Sequence, residues 1–156
     1  MIDNLHIRTA QRSDAKIIAQ FNAALARETE HFELDMPRLL KGVNGMFDEP
    51  SRGFYLLAGI NNEIVGQLMI TYEWSDWRNG VFWWIQSVYV KQEFRVQKVF
   101  TSLYRHVVTL AKEEGNVCGL RLYVEKENER AHAVYKKMGM KLTAYNLLEV
   151  DFVLKR

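Results

Sequence analysis

Two stretches of the chain combine charge, small residues and hydroxyl or amide groups at spacings that could do chemistry. The first is Val88-Tyr89-Val90-Lys91-Gln92-Glu93-Phe94-Arg95-Val96-Gln97-Lys98-Val99-Phe100-Thr101-Ser102-Leu103, an apolar strand that turns into a helix. Backbone N–H groups at a helix N-terminus lack intrahelical acceptors and carry the positive end of the helix dipole. Such a turn suits an anion such as a pyrophosphate, with Arg95 and Lys98 adding charge. An ordinary loop with solvated basic residues is the plainer reading of the same residues. The second stretch is Asn128-Glu129-Arg130-Ala131-His132-Ala133-Val134-Tyr135-Lys136-Lys137-Met138-Gly139-Met140. Asn128 is placed to cap a helix. Ala131 and Tyr135 are four apart and share a face, and the small residue leaves room for a ligand beneath the phenol. Taken alone, Tyr135 reads more plainly as a half-buried aromatic that anchors its helix.

Carboxylates form a third group. Glu73 and Asp76 flank a hairpin crowded by Trp74, Trp77, Trp83 and Trp84, and Glu28, Glu30 and Glu33 stand with His31 between two helical segments. Exposed hairpin and helix ends would account for them. Aromatic walls beside carboxylates also suit a cationic amine.

These residues have to be positioned by the elements around them. Leu5 to Ala10 alternates as a first strand, and Ser13-Asp14 opens a helix with Ile18, Phe21 and Leu25 on one face. A second helix follows Pro37, and the acidic stretch 27–33 reads as a helix end and loop. Strands are expected at Gly53–Ile60, 64–74 and 81–90, joined through Asn61-Asn62 and Asn79-Gly80 as an antiparallel meander. Val99, Leu103, Val107 and Leu110 then recur at helical spacing up to Gly115, 120–124 alternates as a strand, and 129–138 is helical before Gly139. A last strand is expected at 149–154, with a short extra one near 140–144. The order β-α-α-β-β-β-α-β-α-β implies a mixed sheet with helices on both faces.

At 156 residues, 48% hydrophobic and 26% charged, the chain reads as one globular domain spanning 1–156. A net charge of +2 with dispersed Lys and Arg gives no clustered basic footprint, so nucleic acid is not an expected partner. The single Cys118 excludes an internal disulfide, fits a reducing compartment and reads as a buried structural thiol. No apolar run approaches the roughly 20 residues of a membrane span, and the N-terminus lacks a signal-peptide layout. A cytoplasmic protein with no membrane partner and no metal centre is expected.

The two chemical stretches resemble the GNAT acetyltransferases. The family's pattern at the first is V-x-P-x-x-R-G-x-G-x-G/A, whose turn holds the CoA pyrophosphate; Val90, Arg95, Val99 and Leu103 match. Gln92 stands for the usual Pro, Val96 and Lys98 for glycines, and Phe100 for the final Gly/Ala. Lys98 would set a side chain where the phosphates normally approach backbone, or swing out and pair with one of them as a point charge. The second stretch follows the family's N-x-x-A-x-x-x-Y-x-x-x-G-(F/M) at Asn128, Ala131, Tyr135 and Gly139. The resemblance covers essentially the whole chain. It implies an α+β fold with a central, mostly antiparallel twisted sheet of about six or seven strands and about four helices. It also implies acetyl-CoA bound through main-chain groups of Val88 and Val90, through Arg95, Val96, Gln97, Lys98, Val99, Phe100 and Thr101, and through Asn128. Tyr135 would protonate the leaving thiolate as general acid, which requires a site that orients it and excludes water.

An attacking amine must lose a proton, and the family often places a Glu or His on the strand before Val88. Alternation puts Trp84 and Gln86 on the face of Val88, and neither is a base. Gln86 would orient the amine or a water, and Trp84 would wall the site. Glu73 and Asp76, or a water chain, are then the candidates for deprotonation, and Glu28, Glu30 and Glu33 for the acceptor pocket. The expected reaction is N-acetylation of a small-molecule primary amine by direct attack in a ternary complex. The alternatives are a non-catalytic acyl-CoA-binding or regulatory module and a protein N-acetyltransferase. Family habit adds a homodimer through the aromatic hairpin or the C-terminal strand.

Overall fold

The computed structural model describes residues 3–155. The chain divides into two compact units, 1–123 and 124–156.

The first unit is built on one five-stranded sheet in the order β1 (Leu5–Thr9), β2 (Gly53–Ile60), β3 (Glu63–Ser75), β4 (Gly80–Val90), β5 (Val117–Leu122). The expected meander is present: β1–β2, β2–β3 and β3–β4 are antiparallel, and β5 adds in parallel to β4. The turns were legible because Asn tolerates the left-handed region that tight hairpins need; Asn61, Asn62 and Asn79 sit at φ 49°, 69° and 47°.

Helices cover both faces, and the strand period of two decides which residue meets which helix. On one face, Leu56, Ala58, Leu68, Ile70 and Ile85 pack with Val99, Leu103 and Val107 of α3 (Val99–Glu114). On the other, Tyr55 and Leu57 pack with Ile18 and Ala19 of α1 (Ala15–Glu30) and with Val43 and Met46 of α2 (Met36–Asp48). α1 is entered through Asp14, whose carboxylate accepts from both Arg8 guanidinium nitrogens (2.8 and 2.9 Å) and from the Gln11 N–H (2.7 Å). The Arg8 hydrogen bonds hold the Asp14 carboxyl below its usual range. α1 is longer than expected, running through 27–30 before His31 turns left-handed at φ 51°. α3 ends where expected, at Gly115 with φ 82°. Cys118 lies half-buried on β5 rather than fully enclosed.

The second unit carries α4 (Glu129–Lys137). Asn128 caps it, its Oδ1 accepting the Ala131 N–H at 3.1 Å. The helix closes with Met140 N–H on the Tyr135 carbonyl (3.1 Å) and Gly139 at φ 90°, the expected C′ glycine. The expected strand at 149–154 and the short one near 140–144 are not formed; among the described residues 141–155 holds no regular structure. The sheet accordingly has five strands rather than six or seven. Alternating apolar residues make a strand only where a ladder partner exists. Asp151 instead bends the chain locally by accepting the N–H groups of Val153 and Leu154 (both 2.8 Å).

Candidate active site

The strand that should carry the acyl contacts contains a bulge. Gln67 pairs with Tyr89 and Met69 with Gln86, so Ser87 and Val88 together face the single Leu68. Ser87 takes a left-handed conformation (φ 51°) to make this possible. The bulge corrects the simple alternation: Trp84, Gln86 and Tyr89 share the α1/α2 face, while Val88 and Val90 turn into the core on the α3 face. Only main-chain groups of Val88 and Val90 remain to meet a ligand, and the bulge is where the β3–β4 ladder is interrupted.

Beyond Val90 the chain makes a 3₁₀ turn over Gln92–Phe94 and then enters α3. Arg95 is pinned there. Its Nε donates to the Val90 carbonyl (2.8 Å), its Nη2 pairs with Glu28 (2.6 Å), and its guanidinium lies over the Tyr89 ring, 5.4 Å from the centroid. Tyr89 Oη also donates to Glu28 (3.3 Å), and burial first, then the Glu28 charge, raises its pKa. Val96 and Lys98, the two residues standing where glycines are expected, sit at φ 58° and 64°. The turn keeps the glycine conformation without the glycines. For a β-branched residue such as Val96 that is a true outlier, and left-handed backbone costs about 1–2 kcal/mol per residue.

The other expected cofactor residues are disposed unequally. Val99 is 2% exposed and belongs to the core, so only its N–H serves the helix start. Phe100 packs toward the same core and against Tyr104 (6.2 Å between centroids). Gln97 donates to the Glu93 carbonyl (2.9 Å), and Thr101 stands half-buried in the first turn. The first α-type bond is Ser102 N–H to the Lys98 carbonyl (3.0 Å), so the first turn of α3 opens directly after the left-handed Lys98. A diphosphate fits this arrangement: a helix N-terminus, a glycine-like backbone, and Arg95 with Lys98 as cations.

In the second unit, Tyr135 is half-buried and burial raises its phenol pKa. It is therefore protonated throughout the neutral range. Asn128 is committed through Oδ1 to its helix cap, so a ligand would meet its amide nitrogen.

The carboxylates separate into distinct environments. Glu73 accepts from Arg121 (2.5 Å) and from the Trp84 indole N–H (3.3 Å), and Arg121 in turn stacks 3.6 Å over Phe82. Trp84 also stacks on Tyr123 at 4.5 Å, and Gln86 donates to Thr71 Oγ1 (2.6 Å). Asp76 is exposed at the hairpin tip between the exposed Trp74 and Trp77. Glu33 pairs with Arg27 (3.4 Å) and Glu28 with Arg95. Glu30 alone of these lines a cavity of about 330 Å³ between α1, α2 and the sheet.

An acceptor pocket was expected at Glu28, Glu30 and Glu33; of these Glu30 lines the cavity, and the rest of its lining was not foreseen. Its wall is largely apolar, with Leu25, Leu34, Leu39, Val43 and Met69, and its polar groups are Asn22, Tyr55, Ser87 and Glu30. Burial pushes the Tyr55 phenol up to about 12, which keeps it a hydrogen-bond donor. Fully buried Gln67 ties the cavity to the bulge, its Nε2 donating to Asn22 Oδ1 (3.3 Å) and to the Ser87 carbonyl (3.1 Å). A polar Gln67 inside the apolar run 64–70, and Asn22 one turn after Ile18, were the available signals.

Among the described residues no cluster of His, Cys, Asp or Glu could hold a metal ion, and no helix is long and apolar enough to cross a membrane. No curated protein matches the chain. The fold of a possible acetyltransferase from Clostridium difficile 630 is similar, with 43% identity, TM-score 0.88, and coverage of 97% of this chain and 100% of that one. A predicted acetyltransferase from Clostridium acetobutylicum, solved with acetyl-CoA, shares the fold at 21% identity and TM-score 0.77, covering 96% and 97% of the two chains. A ribosomal-protein-alanine N-acetyltransferase from Brucella melitensis biovar Abortus 2308 shares it at 14% identity and TM-score 0.76, covering 95% and 99%. The model of the acetyltransferase (GNAT) family matches residues 18–140, and the chain belongs to that family.

Proposed function

We propose that this protein is an acetyl-CoA-dependent N-acetyltransferase whose acceptor is a small primary amine with an apolar body. The observation that carries the acceptor is the cavity under the Ser87 bulge, with apolar walls and one carboxylate, Glu30. An ammonium group finds its counter-charge at Glu30, and the apolar wall rewards a hydrocarbon or aromatic remainder. Acetyl-CoA supplies the acetyl group activated as a thioester. Arg95, Lys98 and the α3 N-terminus hold the diphosphate, and main-chain groups at Val88 and Val90 receive the pantetheine arm and acyl carbonyl. Glu30, or water beside it, takes the amine proton. Glu73 and Asp76 lie outside the cavity lining, and Glu73 is already occupied by Arg121 and Trp84. Tyr135 carries the proton for the departing thiolate on Oη, and its burial, which raises the pKa, favours the protonated form that a general acid needs.

A non-catalytic module gains little support, because Val96 and Lys98 hold the turn in the glycine conformation instead of abandoning it. Strain of this kind persists where function selects the backbone shape. Calorimetric titration with acetyl-CoA tests the cofactor half of the proposal. Saturable binding is expected, weakened about tenfold or more by Arg95→Ala through loss of a charge-assisted phosphate contact. Absence of binding by the unaltered chain overturns it.

A further inference from the structure

Gln67, on β3, is the one polar side chain among the described residues that is fully buried. Its Nε2 donates to the Ser87 carbonyl (3.1 Å) and to Asn22 Oδ1 (3.3 Å), while its Oε1 has no partner among the described residues. An orphaned buried oxygen carries its full desolvation penalty, which a leucine at this position would avoid. The contribution of the glutamine therefore lies in its amide nitrogen.

That nitrogen sets a direction. The Ser87 oxygen is a main-chain carbonyl and can only accept, so the Gln67 atom facing it is the donor. The second hydrogen of the same nitrogen needs an acceptor, so Asn22 turns Oδ1 toward Gln67. Asn22 Nδ2 is thereby turned away from Gln67, and it donates to no group of the described chain. Asn22 lies on the cavity wall, one turn after the buried Ile18 of α1. Tyr55 brings a second hydrogen to the same wall. It is 4% exposed, and its hydroxyl has no partner among the described residues.

We propose that the cavity selects amines whose apolar body carries a neutral carbonyl oxygen, with Asn22 as the specificity-determining donor and Gln67 as the residue that positions it. The proposal rests on the acyl-transfer reading of the cavity and narrows its acceptor. A pure hydrocarbon amine leaves the donors on the wall unpaired, whereas a carbonyl oxygen has two lone pairs and accepts from two donors. A carboxylate is disfavoured, because the lining holds no Lys, Arg or His and already includes Glu30. An alcohol fits less well, since its own hydrogen needs an acceptor on a largely apolar wall. The relay starts at the bulge itself. Ser87, whose left-handed backbone (φ 51°) interrupts the β3–β4 ladder, fixes through Gln67 the donor that Asn22 presents.

Linear ω-amino methyl esters of increasing chain length, each paired with the ω-amino methyl ether that lacks the carbonyl oxygen, test this through thiol release from acetyl-CoA. At the length turned over fastest, kcat/KM for the ester is expected to exceed that for the ether by about tenfold or more, the effect of leaving a buried donor unpaired. Asn22→Asp keeps the shape and the oxygen that Gln67 needs but replaces the donor with a carboxylate oxygen. The ester-to-ether ratio is then expected to fall to about one or below. Gln67→Met keeps the buried volume, releases Asn22 and is expected to lower the same ratio while cooperative unfolding is retained. A purely structural Gln67 would change kcat/KM for ester and ether by one common factor and leave the ratio where it was. A ratio near one in the unaltered chain, or a ratio that survives Asn22→Asp or Gln67→Met, overturns the proposal and leaves amine acetylation standing. Turnover of neither ester nor ether overturns that reading together with this proposal.

Discussion

In the turn leading into α3, Val96 and Lys98 hold φ values of 58° and 64° that glycine adopts without penalty; in α4, the motif residues Ala131 and Tyr135 sit on ordinary helix geometry, with Asn128 as the N-cap before them and Gly139 at φ 90° just beyond. One region preserves a backbone shape after losing the residues that favour it. The other preserves residues whose backbone needs nothing special. The difference locates what each region is asked to supply. A diphosphate is recognised by the direction of N–H groups, which depends on φ and ψ more than on side chains. A leaving thiolate needs a particular hydroxyl, which only the side chain can provide. A change of residue therefore weighs heavily in α4 and lightly in the turn, provided the turn keeps its shape.

Three substitutions would break or sharpen that contrast. Tyr135→Phe removes the proton donor and leaves the helix intact; thiol release is expected to fall by about 10²-fold or more, with acetyl-CoA affinity little changed. An unchanged rate would remove Tyr135 from the reaction. Val96→Gly relieves left-handed strain at a site 82% exposed, where no packing is lost. Thermal or denaturant unfolding is expected to show a gain of about 1 kcal/mol, and a loss of stability would mean that the turn is not strained. Glu28→Gln removes the carboxylate that pairs with Arg95 at 2.6 Å and competes for it with a phosphate. Acetyl-CoA should bind up to about fivefold tighter, the range of a partly exposed ion pair; weaker binding would make Glu28 a support for Arg95 and not its competitor.

The layout of the sheet was legible because hairpins announce themselves locally. Asn61-Asn62 and Asn79-Gly80 supply the backbone freedom that tight turns require, and the spacing of Val99, Leu103 and Val107 fixes one helix face. The bulge at Ser87 was hidden, because alternation assumes an unbroken ladder and nothing in Gln86-Ser87-Val88 signals an added residue. It reversed the side on which Val88 falls. The partners of the carboxylates were hidden for a different reason. Glu28 meets Arg95 across 67 residues and Glu73 meets Arg121 across 48, and such separations are decided by the sheet order. The cavity's lining beyond Glu30 belongs to the same class, since five elements contribute to it. The last apolar segment carried a strand's sequence, but its partner strand is not specified by local residues at all.

Acyl transfer into the cavity is the central claim, and thiol release from acetyl-CoA over a panel of primary amines tests it most directly. At fixed acetyl-CoA, kcat/KM is expected to rise with the apolar bulk of the amine until the roughly 330 Å³ cavity is filled, and to fall when Glu30 is changed to Gln. Thiol release that is independent of every amine, or that favours polar amines and ignores Glu30→Gln, would contradict it.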